Sequence, residues 1–266
     1  MNKYLIAIDS DGTLKDSNGI ISDKTKKVLN KLKKDNVIVL CTGRPRYHVK
    51  SINSKLKLSN YIISSNGAEI YDVEKNEVIY SKYIDKKILK SIYEDSIKEN
   101  IRLIFVVDDI EYVTEYTTND SQILIDDKNI DELVKLNIKQ IMFFGNDYDK
   151  INDYKNIING RYNLSVIDSA FKKDYSWFCV NDKNCNKGNA IKFLSKYLNI
   201  DKDKTIAIGN DNNDISMIKY AKIGVAVKNA TKELLDIADY ITESNDEDGV
   251  YLFLKKWSDN NERNII

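Results

Sequence analysis

The chain has 266 residues, and its 41 basic and 41 acidic side chains give a formal net charge of zero. This balance argues against a nucleic-acid-binding protein, because such proteins carry an excess of lysine and arginine. No apolar run approaches the roughly 20 residues of a membrane span, and the amino terminus lacks the apolar segment of a signal peptide. The three cysteines have neither the number nor the spacing of a disulfide framework or a zinc site. We therefore expect a cytoplasmic protein without a membrane partner.

The first part of the chain alternates short apolar runs with helical patterns. In chain order the predicted elements are a strand at 4–9, a helix at 23–34, a strand at 37–42, a helix after Pro45 and a strand at 61–67. Either Ser22 or Asp23 is suited to cap the first helix.

The middle of the chain has a different pattern. Two pairs of neighbouring strands are predicted, 102–107 with 111–117 and 138–144 with 176–182, and helices are predicted at 86–100 and 148–158. Strands that follow one another without a helix at every crossing indicate an antiparallel sheet. We therefore expect an inserted α+β domain over residues 84–183.

The last part returns to the first rhythm. It predicts a helix at 187–198, a strand at 205–210, a helix at 213–221, a strand at 223–227 and a helix leading into a short strand at 231–242. Continuous apolar strands alternating with helices favour a parallel sheet covered on both faces. The sequence thus predicts an α/β fold, in which residues 1–83 and 184–266 form a Rossmann-like, doubly wound core.

Polar residues follow three of the predicted core strands. They are Asp9-Ser10-Asp11, Thr42-Gly43-Arg44 and the run from Asn210 to Asp214. In open parallel sheets ligands bind beyond the carboxyl ends of the strands, so these residues should meet at one edge. Clustered carboxylates repel one another without a cation, and hard oxygen ligands with open positions suit Mg²⁺.

The chain resembles a haloacid-dehalogenase-superfamily phosphatase of the Cof type with the type IIB cap. The stretch "DSDGTL" is similar to the first family motif, "CTGRP" to the second, Lys187 in "NKGNAIKFL" to the third and "GNDNNDISM" to the fourth. The segment "SSNGAEI" and the tail "NATKELLDIADYITESNDEDGV" also follow the Cof pattern. Four motifs in the family's order over nearly the whole chain make this resemblance specific.

The resemblance implies two catalytic carboxylates. Asp9 would be the nucleophile that forms an aspartyl-phosphate, and water would then hydrolyse that intermediate. Asp11 would protonate the leaving alcohol and later activate the water. Gly12 would allow the close approach of the backbone to the phosphate.

The resemblance also implies ligands for phosphate and metal. Phosphate would be bound by Thr42, the amide of Gly43, Lys187 and Asn213. Magnesium would be bound by Asp9, the backbone carbonyl of Asp11, Asn210 and Asp214.

The fourth motif departs from the family pattern at Asn210, where aspartate is usual. Either Asn210 binds the metal with help from Asp214, or Asp211 replaces it through a shift of the loop. We favour Asn210, because successive residues leaving a strand point in opposite directions. We therefore expect weaker Mg²⁺ binding than in relatives with aspartate.

Three neighbouring residues invite other interpretations. Ser10 is expected to pack behind the turn rather than act as a nucleophile, and His48, the only histidine, to lie on the surface of a helix. Arg44 is expected to shape the loop before Pro45 rather than to contact substrate.

The insertion lies between the second and third motifs, where the family carries its α/β cap. Such a cap would exclude water and select the leaving group. The segments "YSKYID" and "VNDKNCN" are candidate hinges.

The sequence therefore predicts a Mg²⁺-dependent phosphatase of small phosphorylated metabolites, such as sugar phosphates or phosphorylated cofactors. A phosphomutase on the same scaffold and a non-catalytic phosphate sensor, which Asn210 alone suggests, are the alternatives. We expect a monomer or a weak homo-oligomer whose partner is the small-molecule substrate.

Overall fold

The computed structural model describes residues 3–116, 122–168 and 176–263. The chain forms two compact units, one of Met1–Tyr80 with Asn186–Ile266 and the other of Ser81–Cys185. The boundaries inferred from the sequence, after residues 83 and 183, lie within a few residues of these. Within the described part of the chain, no helix combines the length and the apolar character that crossing a lipid bilayer demands.

The described strands and helices follow the chain in this order. The strands are β1 (Leu5–Ile8), β2 (Val37–Cys41), β3 (Tyr61–Ser64), β4 (Glu69–Asp72), β5 (Glu77–Ser81), β6 (Arg102–Val107), β7 (Ile110–Val113), β8 (Gln122–Leu124), β9 (Gln140–Gly145), β10 (Leu164–Asp168), β11 (Ser176–Asp182), β12 (Thr205–Gly209), β13 (Ile223–Val227) and β14 (Tyr240–Thr242). The helices are α1 (Asp23–Leu32), α2 (Arg46–Leu56), α3 (Lys86–Lys98), α4 (Ile130–Leu133), α5 (Tyr148–Arg161), α6 (Lys187–Tyr197), α7 (Ile215–Tyr220), α8 (Lys232–Leu235) and α9 (Gly249–Arg263).

The first unit is built on an eight-stranded sheet, in the order β14-β13-β12-β1-β2-β3-β4-β5 among the described residues. The central strand β1 pairs in parallel with β2 on one side and β12 on the other. Its side chains alternate between the two faces. Ile6 and Ile8 pack with α1, α2 and α9, whereas Leu5 and Ala7 pack with α6 and α7. Helices thus cover both faces, which confirms the predicted α/β fold class.

The sheet also contains a hairpin that the sequence analysis does not predict. β4 runs antiparallel to β3, and β5 continues the sheet beyond it. The turn between β3 and β4 places Ser65, Asn66 and Gly67 at φ values of 48°, 57° and 88°. Asparagine and glycine tolerate this left-handed region better than other residues, which accounts for Asn66 and Gly67 in the turn but not for Ser65.

The second unit contains a six-stranded sheet, in the order β10-β11-β9-β6-β7-β8 over the residues described. β6 pairs antiparallel with β7, and β9 pairs antiparallel with β11, as the sequence predicts. The predicted strand at 111–117 extends to residue 117, which lies outside the described residues. Helices α3 and α5 cover one face, where the rings of Phe143 and Phe178 stack 4.4 Å apart. The strands β8 and β10 were not predicted.

Candidate active site

The buried centre of the site is a lysine between two aspartates. Asp9 directly follows β1, and its Oδ1 accepts a hydrogen bond from Lys187 Nζ at 2.7 Å. The same ammonium donates to Asp214 Oδ1 at 2.5 Å. Lys187 and Asp214 have no solvent exposure, and Asp9 is 6% exposed. When both carboxylates are ionised, they and the single ammonium leave this cluster, the buried triad, with one excess negative charge.

Burial and charge shift the pKa values of this triad. Burial is the largest of the effects that together raise the pKa of Asp9 to about 7. The charge of Lys187 opposes this rise, and the charges of Asp214 and Asp11 add to it. Burial alone would lower the pKa of Lys187, but the two carboxylates outweigh it and raise that pKa above its usual value. The lysine is therefore charged at neutral pH, as a buried group between two acids should be.

Close backbone packing places Lys187 at the first position of α6. Asn186 caps this helix by accepting a hydrogen bond from the amide of Asn189 at 2.8 Å. Gly67 lies against the helix-capping residue Asn186, since a Cβ at Gly67 would be 2.5 Å from the carbonyl oxygen of Asn186. A Cβ at Gly188 would be 2.3 Å from the carbonyl oxygen of Ser216. Glycine at both positions lets the third motif approach the core closely.

Asp214 also organises the loop that follows β12. Its Oδ2 accepts hydrogen bonds from the backbone amides of Asn210 at 2.9 Å and Asp211 at 3.1 Å. Asp211 turns its own side chain back to cap the short turn Asn212–Asp214, accepting from the amide of Asn212 at 2.7 Å. Both oxygens of Asp214 are thus bound to donors of the protein itself.

Asn210 extends its side chain to the first motif. Its Oδ1 accepts a hydrogen bond from the Thr13 hydroxyl at 2.8 Å. Gly12, at φ 76°, passes beneath this amide, and a Cβ at Gly12 would be 2.6 Å from Asn210 Nδ2. Glycine is required here both by the positive φ and by the close contact.

Asp11 lies at the solvent-exposed side of the site. Arg44 Nε donates to Asp11 Oδ2 at 2.5 Å and Arg44 Nη2 donates to Asp11 Oδ1 at 3.0 Å. Lys15 Nζ makes a longer contact with Oδ1, at 3.4 Å. Partial burial raises the pKa of Asp11, but Arg44 and Lys15 outweigh it and lower the pKa below its usual range. The contact between Arg44 and Asp11 was not foreseen, because 33 residues separate the two in the chain.

The second motif is joined to the fourth through Asn66. Buried Thr42 accepts at Oγ1 from the amide of Arg44 at 3.2 Å, and its carbonyl accepts from the amide of Asn66 at 3.0 Å. A Cβ at Gly43 would be 2.9 Å from Asn66 Oδ1, the atom that accepts from Asn213 Nδ2 at 2.9 Å. Asn66 was not among the predicted site residues. The signal in the sequence that could have identified Asn66 is its position in the turn "SSNG", at the end of a core strand.

Two other expectations concern neighbours of the site. Ser10 is fully buried, and its hydroxyl has no hydrogen-bond partner in the described part of the chain. It packs behind the turn, as expected. His48 is exposed on α2, where its ring lies 4.2 Å from that of Tyr47. This confirms the prediction of a surface histidine.

The similarity of this protein to known proteins extends over most of the chain. The model of the haloacid dehalogenase-like hydrolase family matches residues 6–254. The putative phosphatase YxeH of Bacillus subtilis is 31% identical over 264 residues, which cover 92% of this chain and 95% of that protein. The 5-amino-6-(5-phospho-D-ribitylamino)uracil phosphatase YcsE of the same organism is 30% identical over 254 residues, which cover 95% of each. A solved haloacid dehalogenase-like hydrolase from B. subtilis is 28% identical, with a TM-score of 0.83 over 95% of this chain and 99% of that one.

Proposed function

The chain belongs to the haloacid dehalogenase-like hydrolases, as the sequence resemblance indicated, and we propose that it is a Mg²⁺-dependent phosphatase of small phosphorylated metabolites. The observation that carries this proposal is the environment of Asp9. Lys187 binds Oδ1 of this carboxylate, and Oδ2 has no hydrogen-bond partner in the described residues. A buried carboxylate held at one oxygen and open at the other is suited to attack phosphorus.

The residues around Asp9 fit a magnesium ion. With Asp9 ionised the triad has an excess negative charge, and the carbonyl oxygen of Asp11 accepts no hydrogen bond from the described residues. The structure contains no cluster of three or more His, Cys, Asp or Glu side chains with metal-site geometry among the residues it describes. A magnesium site does not need such a cluster, because the usual ligands of Mg²⁺ are one or two carboxylates together with carbonyl oxygens, waters and substrate phosphate.

We propose that Asp9, the Asp11 carbonyl and Asn210 hold the ion. The side chain of Asn210 reaches the first motif, where its Oδ1 accepts one hydrogen bond, from Thr13, and keeps a second lone pair for the ion. The carboxylate of Asp211 instead caps the turn that follows it. Asp214, predicted as a fourth ligand, is better suited to hold Lys187 and the loop amides, since both of its oxygens accept hydrogen bonds from them. When bound, Mg²⁺ supplies positive charge that keeps Asp9 ionised and offsets the charge of the phosphoryl group.

The reaction proceeds in two displacements at phosphorus. Asp9 attacks, a new O–P bond forms, and the bond from phosphorus to the ester oxygen breaks. Asp11 takes part in this step in its protonated form and delivers that proton to the departing alcohol. Arg44 and Lys15 favour the ionised form, so the protonated form is the minor one at neutral pH. Water then attacks the phosphorus of the aspartyl-phosphate and gives its proton to Asp11. Inorganic phosphate leaves and the Asp9 carboxylate is restored. We assign phosphoryl binding to Thr42, Gly43, Lys187 and Asn213, which stabilise charge rather than form bonds.

The test is release of inorganic phosphate from a panel of phosphorylated metabolites, with and without Mg²⁺. The panel includes sugar phosphates, phosphorylated cofactors and the phosphorylated ribityl compound after which YcsE is named. We expect turnover of at least one ester, loss without Mg²⁺, and a fall of at least about 1,000-fold in Asp9→Asn. Conversion of a sugar phosphate to an isomer without phosphate release would indicate a phosphomutase instead. An Asp9→Asn variant as active as the parent would refute the mechanism.

A further inference from the structure

Arg44 and Asp11 form a bidentate contact, which is more specific than an attraction between opposite charges requires. Two nitrogens of one guanidinium reach two oxygens of one carboxylate, at 2.5 and 3.0 Å. This paired arrangement fixes the plane of the carboxylate as well as its position, because both groups are planar. A single ammonium, such as that of Lys15 at 3.4 Å, does not restrict rotation of the carboxylate.

Little else in the structure orients the Asp11 side chain. Among the described residues, Arg44 and Lys15 are the donors to its carboxylate, and no backbone amide or hydroxyl adds a hydrogen bond. Half of the side chain faces solvent, with 43% exposure. An aspartate without such partners would sample several rotamers, and only a fraction of them would place an oxygen beside the leaving group.

The backbone of Arg44, in contrast, is fixed from both directions. Its amide donates to Thr42 Oγ1 at 3.2 Å, and its carbonyl accepts from the amide of Ser65 at 2.9 Å. Pro45 follows at the cap of α2, where its ring restricts the backbone. Arg44 therefore projects from a rigid loop of the phosphate-binding motif towards the proton-transfer carboxylate.

We propose that Arg44 is a positioning residue for Asp11, so that the second motif orients the proton-transfer group of the first. This inference rests on the proposed phosphatase function. A carboxylate has about four lone-pair sites, of which the guanidinium takes two and Lys15 one. The remaining site is on Oδ2. This is the oxygen that we assign to carry the proton.

The test separates proton transfer from substrate binding by the choice of leaving group. The phenolate of p-nitrophenyl phosphate leaves without a proton, whereas the alcohol of a sugar phosphate needs one. Arg44→Met is compared with the parent in single turnovers with enzyme in excess, which report only the first displacement. We expect the rate on the sugar phosphate to fall about 10- to 100-fold and the release of p-nitrophenolate to change less than about threefold.

A double-mutant cycle with Asp11→Asn gives the second readout. If Arg44 acts through Asp11, Arg44→Met should add less than about twofold to the loss already caused by Asp11→Asn. Arg44→Lys keeps the charge but loses the paired geometry, and we expect only partial recovery. The matched control is Arg161→Met, which removes the exposed ion pair between Arg161 and Asp95. We expect this variant to leave both rates unchanged.

Several outcomes would overturn the inference. Equal losses on both esters, with a matching rise in the enzyme concentration that gives half of the maximal single-turnover rate, would make Arg44 a ligand of the substrate phosphate. Additive losses in the Asp11→Asn background would also refute it, as would full activity of Arg44→Met on the sugar phosphate. Thermal unfolding of each variant excludes a general loss of fold. If the parent enzyme hydrolyses neither ester, the proposed function itself fails, and that result is distinct from all of these.

Discussion

The site contains two ion-pair systems with opposite relations to solvent. The buried triad joins Lys187 to Asp9 and Asp214, with exposures of 0 to 8% for the three side chains. In the second system, the side chains of Arg44 and Asp11 are each 43% exposed. Removing one member of a buried system leaves an uncompensated charge in a low dielectric, whereas water screens an exposed pair. Loss of one charged group should therefore destabilise the fold in the buried triad, whereas at the exposed pair it should mainly release the orientation of a side chain.

The largest expected effect is that of Lys187→Met. Two buried carboxylates would lose their shared cation, so we expect the free energy of unfolding to fall by about 3–5 kcal/mol and activity to disappear. Urea unfolding measures the first quantity. The double variant Lys187→Met with Asp214→Asn removes one of the stranded charges and should be more stable than the single variant. A single variant as stable as the parent would contradict this description of the triad.

A smaller loss is expected from Gly12→Ala. Alanine at φ 76° is strained, and its Cβ would contact the amide of Asn210, so we expect a loss of about 1–3 kcal/mol in stability. Gly19→Ala is the matched control, because Gly19 has φ 77° with no atom within 4 Å of the added Cβ. Only the backbone strain of about 1 kcal/mol should appear there. Equal losses in thermal unfolding would show that the contact with Asn210 is unimportant.

Asn210→Asp tests the charge at the metal site. A carboxylate in place of the amide should strengthen Mg²⁺ binding roughly tenfold, because ligand charge sets the affinity of such sites. Calorimetric titration with MgCl₂ measures this without substrate. Asp211→Asn is the control, and we expect its Mg²⁺ affinity to stay within about twofold of the parent. The assignment of Asn210 would be wrong if the control lost affinity and Asn210→Asp did not gain any.

The smallest effect concerns the stability contributed by the exposed pair. The pKa of Asp11 is lowered in the folded state, so its pairing stabilises the protein above the unfolded pKa of about 4 and is lost as the pH falls through the folded value. Arg44→Met should therefore cost less than about 1 kcal/mol at pH 7, and the difference should fade below about pH 4. Urea unfolding at both pH values tests this. A larger loss at pH 7 would mean that Arg44 supports the fold rather than the orientation of Asp11.

The local patterns of the chain were sufficient for much of this structure. The strand at β1, the helix α1 and the helix α6 beginning at Lys187 follow from periodicity and capping, which act over a few residues. Of the two candidate caps of α1, the structure has Ser22. The strands β4 and β5 did not follow, because these short strands carry polar residues at several positions. Strand β8, of three residues, is likewise too short to show a period.

The sequence by itself thus determined the order of the elements and the residue types at the ends of the core strands. The tertiary structure decided how those residues are paired. Lys187 meets Asp9 across 178 positions of the chain, Thr13 meets Asn210 across 197, and Asn213 meets Asn66 across 147. Such pairings depend on the register of neighbouring strands and the packing of helices on them. No local propensity contains that information, since it acts only between residues close together along the chain.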